Sequence, residues 1–185
     1  RRGEQPVRRR DLAGQERPGH RRRAGEGIRE GGEDPVPNGD AVEWASKNLP
    51  GIEFLQSPQE PPLPIEDDQL AVAFGISIWS HYAERLALRW YDEMWRVLRP
   101  GGHLISTTHG PQSVAFYGEI GLRATSQLAE IRDSLYTDGY WYAPEFGNKG
   151  DWGVVNSEWG TSFVSAEWML DRLCPKWQFV EFGRA

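Results

Sequence analysis

The sequence predicts an α/β domain over residues 40–185, built on a parallel sheet with flanking helices. Three observations carry this. The run 69–79 is almost continuously apolar, as in strands covered on both faces. Within 83–98, Ala87, Trp90, Tyr91, Met94, Val97 and Leu98 recur at spacings of three and four, which gives one helical face. Across 52–107 the elements read strand, loop, strand, helix, strand, and that alternation implies parallel pairing through crossovers.

The elements follow in order. Asp40 reads as the N-cap of a helix over 41–48, with Glu43 three residues on as in a capping box. Leu49-Pro50-Gly51 stops it. Residues 52–55 read as a short strand. Residues 56–64 hold four of the 13 prolines and read as loop. On the helix over 83–98, Arg85, Arg89, Asp92, Glu93 and Arg96 take the wet side, and Arg99 in the last turn suits the helix dipole. Pro100-Gly101-Gly102 breaks the helix, and 103–107 is the next strand. Residues 110–163 form an aromatic-rich insert. A last helix over 165–173 is capped by Ser165 and ended by Cys174-Pro175, before the apolar segment 177–182.

Residues 1–39 have a different grammar. Over 1–40 there are 10 Arg and 8 acids, eight Gly, four Pro and no aromatic residue. Such a stretch cannot bury enough surface to offset its ordering entropy, and it reads as a disordered or artefactual leader. Its acids interleave with Arg8-Arg9-Arg10 and Arg21-Arg22-Arg23, which cancels the field that a polyanion-binding arm needs.

Charge and composition narrow the function. Residues 41–185 carry 11 Lys or Arg against 19 acids. That balance argues against nucleic acid as a partner, since phosphate binding needs clustered cations. No apolar run approaches the roughly 18 to 20 residues of a membrane helix. No signal-peptide core is visible at the N-terminus. The single cysteine, Cys174, forms no metal cluster and fits a reducing, cytoplasmic setting. It reads as a small buried residue, not a nucleophile.

Several segments together resemble a family. These are Ala41-Val42-Glu43-Trp44-Ala45, Asn48-Leu49-Pro50-Gly51, Pro61-Pro62-Leu63-Pro64 and Ile76-Ser77-Ile78-Trp79-Ser80-His81. Above all there is Arg96-Val97-Leu98-Arg99-Pro100-Gly101-Gly102. In this order and spacing, over about residues 40–183, they resemble the Rossmann-like domain of class I S-adenosylmethionine-dependent methyltransferases. Thr107-Thr108-His109-Gly110 and Trp159-Gly160-Thr161-Ser162-Phe163 resemble a bacterial subgroup that often accompanies glycosyltransferases of surface-polysaccharide synthesis. The resemblance implies methyl transfer from S-adenosylmethionine to a small-molecule or sugar-like acceptor. It implies nothing about oligomeric state.

The departures from the family pattern are specific. No strand followed by a Gly-rich turn stands in residues 1–40; Gly25-Glu26-Gly27 and Gly31-Gly32 lack that setting. Val36 holds the place expected of the ribose-binding acid, with Asp34 two residues away. The family's Phe-Asp appears as Leu70-Ala71. By resemblance the domain is therefore incomplete at its first strand–helix–strand unit and at its last strand. The leader resembles GC-rich DNA read in the wrong frame. Activity of this chain is expected to be impaired. The alternative is a non-catalytic, methyltransferase-derived module that binds a glycan or protein through its aromatic insert.

Ligands in open parallel sheets lie beyond the carboxyl ends of the strands. His81 and His109 follow different strands at that edge, and each is a candidate base or acceptor-binding group. By resemblance, Ser77 and Ile78 line the cofactor through their backbone. Trp79 would lie against the adenine or near the sulfonium. Gln59 and Glu60 fall in the adenine-contacting loop. Tyr136, Tyr140, Trp141, Tyr142, Phe146, Trp152 and Trp159 are the rings that could stack on an acceptor, with packing the commoner fate of such residues.

Overall fold

The computed structural model describes the backbone of Arg8–Arg9, and residues 39–146 and 155–183. Apart from Arg8–Arg9, the leader lies outside the described residues, as do Asp34, Val36 and the glycine pairs of the leader. Trp152 also lies outside them. In chain order the elements are β1 (Arg8–Arg9), α1 (Gly39–Asn48), β2 (Leu70–Gly75), a 3-10 turn (Trp79–His81), α2 (Glu84–Val97) and β3 (Leu98–Ser106). Then come α3 (Pro111–Glu119), α4 (Thr125–Thr137), β4 (Tyr140–Ala143), β5 (Thr161–Val164), α5 (Ala166–Leu173) and β6 (Trp177–Gln178).

The structure is a mixed helix and strand domain around a small parallel sheet. β2 and β3 pair in parallel, joined by α2, while β4–β5 and β1–β6 are antiparallel pairs. The expected helical face of α2 is its buried face: Ala87, Trp90, Tyr91, Met94 and Val97 are all in the core, with Leu98 just beyond. They pack with Trp79, Leu104, Val164, Trp168, Met169 and Trp177. A second, smaller core joins Ile131 and Leu135 of α4 to Trp141 and Phe163. Ser165 caps α5 as expected, its Oγ accepting the Trp168 N–H at 3.1 Å.

Five sequence expectations are corrected. Residues 52–55 form no strand; Ile52 and Leu55 are exposed in a loop. The strand expected over 69–79 is limited to Leu70–Gly75, and among the described residues it is covered on one face only. Val72, Phe74 and Ile76, with Ile105 paired opposite Phe74, face outward and are exposed. Asp40 lies inside α1 and is not its cap, and α1 buries none of its residues. Glu93 is buried, 5% exposed, because a long-range partner waits for it. It accepts the Leu63 N–H at 2.7 Å and the Arg96 Nε–H at 3.0 Å, and Arg96 also reaches Asp67 at 2.8 Å. The hydrogen bond to Glu93 is the largest cause that raises the Arg96 pKa.

The fifth concerns Pro100-Gly101-Gly102. α2 ends at Val97, one residue short of the expected Leu98, and the Pro-Gly-Gly run does not end it but forms a bulge inside β3. Leu70 pairs with Leu98, but Val72 pairs with His103, so three extra residues are absorbed. Gly101 has φ +76°, and a Cβ on Gly102 would press on the Arg99, Ala71 and Leu70 carbonyls. Glycine is required there by geometry, not by helix termination.

Candidate functional site

The carboxyl ends of β2 and β3 are tied together before any side chain is considered. The Thr107 N–H donates to the Gly75 carbonyl at 3.2 Å, and the Ser77 N–H donates to Thr107 Oγ1 at 2.7 Å. Ser77 has φ +56°, a left-handed conformation uncommon outside glycine. The chain then turns through Trp79–His81 into α2, while β3 runs on to His109.

β5 and the residue before it hold both histidines. His81 Nδ1–H donates to the Gly160 carbonyl at 2.8 Å, and His109 Nδ1–H donates to the Ser162 carbonyl at 3.1 Å. Gly160 and Ser162 are alternate residues of an extended segment, so their carbonyls point the same way. The backbone repeats the link: Gly160 N–H donates to the His81 carbonyl at 2.7 Å, and Val164 N–H to the His109 carbonyl at 2.8 Å. A Cβ on Gly160 would overlap the Ala143 carbonyl, so the approach of β4 requires glycine at this residue. The imidazoles meet edge to face, with centroids 6.5 Å apart.

Donation from both Nδ1 atoms leaves the Nε2 lone pairs outward, and the two differ. His109 Nε2 accepts the Tyr117 hydroxyl at 3.1 Å. Burial lowers the His109 pKa, and the nearby His81 and Arg123 add to this against the Ser162 hydrogen bond. Among the described residues, His81 Nε2 has only a long contact to Ser77 Oγ at 3.5 Å. Its ring lies near those of Trp159, 5.0 Å away, and Phe146, 5.7 Å away. His81 is thus the histidine with the more available lone pair.

The remaining expected residues divide. Ser77 and Ile78 are exposed at the end of β2. Trp79 is 5% exposed, in the core against Tyr91, with ring centroids 4.9 Å apart. The Glu60 carboxylate is paired with Arg89 of α2, and Gln59 is half-buried in the same loop. Among the insert's rings, Phe146 and Trp159 reach His81. Trp141 is buried, and Tyr136 is 91% exposed on α4, so it is not a core ring. The hydroxyls of Tyr140 and Tyr142 donate to the Tyr82 and Ser157 carbonyls, both at 2.7 Å.

Three residues that sequence reasoning missed support this edge. Arg123 makes two hydrogen bonds to Glu145, at 2.6 and 2.7 Å, and Thr161 Oγ1 donates to the same carboxylate at 2.7 Å. The Arg123 hydrogen bonds hold the Glu145 pKa below the usual carboxylate range. The Arg123 side chain is 10% exposed and lies 5.6 Å from the Trp141 ring and 5.9 Å from Tyr117. Tyr117 is the third. No periodicity joins position 123 to 145, so the pattern alone carries no signal for this pair.

No family model matches the chain, and no curated protein or solved structure matches it.

Proposed function

We propose that this chain carries the acceptor side of a Rossmann-like methyltransferase site, acting in methyl transfer from S-adenosylmethionine to a small-molecule or sugar-like acceptor. The observation that carries the reading is the convergence of His81 and His109 at one sheet edge, after two parallel strands linked by a helix. The resemblance of residues 40–183 supplies the reaction class.

The fit to the cofactor is one-sided. Ser77 and Ile78 present exposed chain at the end of β2, where they would line it. Trp79 and Glu60 do not fit: the first is packed in the core and the second is ion-paired. When bound, the cofactor would supply a methyl group on a sulfonium for in-line displacement. The chain's own part is to orient the acceptor and take its proton. His81 Nε2 is suited to that because its Nδ1–H is committed to the Gly160 carbonyl, which fixes the tautomer. His109, bonded at both nitrogens, positions Tyr117 and β5.

The test is transfer of labelled methyl from S-adenosylmethionine to a panel of hydroxylated small molecules and sugars. Transfer that falls by about 100-fold in His81→Phe, with binding retained, supports the reading. Transfer unchanged in His81→Phe removes the assigned base. The second reading, a non-catalytic module, is favoured by the full hydrogen bonding of His109 and the burial of Trp79. It expects saturable glycan binding with no labelled product.

A further inference from the structure

A separate cavity of about 480 Å³ lies between α2, β3, α5 and the C-terminal segment. Leu104, Met169, Leu173 and Trp177 line it, each less than a tenth exposed, with Phe179 and Phe182 stacked beside them, centroids 5.1 Å apart. The lining also holds Tyr91, with its hydroxyl, and Ser106, Thr107 and Thr108, which precede His109 in the chain. Glu181 is the one charged side chain among the described lining residues, and no Lys, Arg or His is among them.

We propose that this cavity binds an uncharged, flat apolar ring bearing a hydroxyl group, and that such a ring belongs to the acceptor. The inference rests on the methyl-transfer reading only for the word acceptor. Its volume falls within the range of small-molecule sites, which are mostly apolar with a few polar groups at one end. The aromatic lining suits a ring face. Tyr91, Ser106 and Thr108 are the lining residues whose hydroxyls are offered to a ligand hydroxyl. A carboxylate or phosphate would meet Glu181 with no compensating cation. A free pyranose would turn its hydroxyls against Leu104, Met169 and Leu173, where none finds a partner. Of the small-molecule and sugar-like acceptors, the cavity therefore selects the aromatic alcohol.

Ligand-observed NMR titrations of the full chain, without cofactor, test this with 1-naphthol, 1-naphthoate and methyl β-D-glucopyranoside. We expect saturable binding of 1-naphthol, at least about tenfold weaker binding of 1-naphthoate, and none of the glucoside. Leu173→Trp, which fills the floor, should abolish 1-naphthol binding while the cooperative melt is kept. If Leu173→Trp does not fold, Phe182→Ala, which removes a half-exposed ring of the aromatic lining, replaces it, with 1-naphthol binding expected to weaken at least about tenfold. A wild-type chain that does not saturate with 1-naphthol overturns the proposal. So does a glucoside or naphthoate that binds as well, or 1-naphthol binding unchanged in the folded variant. Because no cofactor is present, these outcomes bear on the cavity and leave the methyl-transfer reading to its own test.

Discussion

The two halves of this molecule are built to different standards. Among the described residues, those from Trp79 to Trp177 supply both cores, a capped helix, and a β5 strand that pairs with β4 and anchors both histidines. From Gly39 to Ile78 the chain is open. α1 buries nothing, and Val72, Phe74 and Ile76 stand exposed on β2, whose partner among the described residues is β3 alone. Parallel sheets are ordinarily covered on both faces, so the open half is where an apolar strand reads correctly in sequence and finds no cover. Stability and site geometry should therefore reside in the closed half.

Truncation at the smaller core tests that division most strongly. Phe163 is fully buried where β5 meets His109 and Trp141. Phe163→Ala should cost about 3–5 kcal/mol in denaturant unfolding. A loss below about 1 kcal/mol would mean that β5 is not the organising strand. Next comes Arg123→Ala, which strips Glu145 of its main partner and should cost roughly 2–3 kcal/mol, less than a fully buried pair because Glu145 is 31% exposed. The sign with pH follows from the lowered Glu145 pKa. Its contribution is present above the unfolded carboxyl pKa and is lost as pH falls through the lower folded value. Arg123→Ala should flatten that acid limb; an unchanged limb would assign it to other groups.

His109 gives a smaller effect in a different window. Its folded pKa lies below the ordinary histidine value, so the unfolded chain binds the extra proton. The stabilisation is complete above about pH 6.5 and declines as pH drops toward the folded value. His109→Gln should remove this slope in thermal melts below about pH 6.5, and a slope that persists would place the titration elsewhere. The smallest effect belongs to the open half. Phe74 is 73% exposed, and Phe74→Ser should change stability by no more than about 0.5 kcal/mol. A cost of several kcal/mol would reveal that this face is covered in solution.

The same contrast explains what the sequence made legible. The face of α2, the Ser165 cap and the placement of His81 and His109 at one edge all follow from local rules: periodicity, a capping side chain, and position after a strand. Glu93, Arg123 and the carbonyls of Gly160 and Ser162 do not. Each owes its role to a partner 22 to 79 residues away, such as Glu93 to Leu63 or His81 to Gly160. A wet-face heptad position says nothing about a backbone N–H waiting across a loop. The bulge at Pro100-Gly101-Gly102 is hidden for the converse reason, since a helix stop and a strand bulge use the same residues. Trp79 sits in an apolar run that suits a cofactor wall and a core equally, and only packing against Tyr91 separates the two.

The most direct test of the central claim is a calorimetric titration of the full chain with S-adenosylhomocysteine, the product of methyl transfer. If, as proposed, Ser77 and Ile78 line the cofactor and His81 serves the acceptor, binding is saturable and one-to-one and His81→Phe leaves it in place. A cooperatively folded sample that takes up no S-adenosylhomocysteine would contradict the assignment of this edge to methyl transfer.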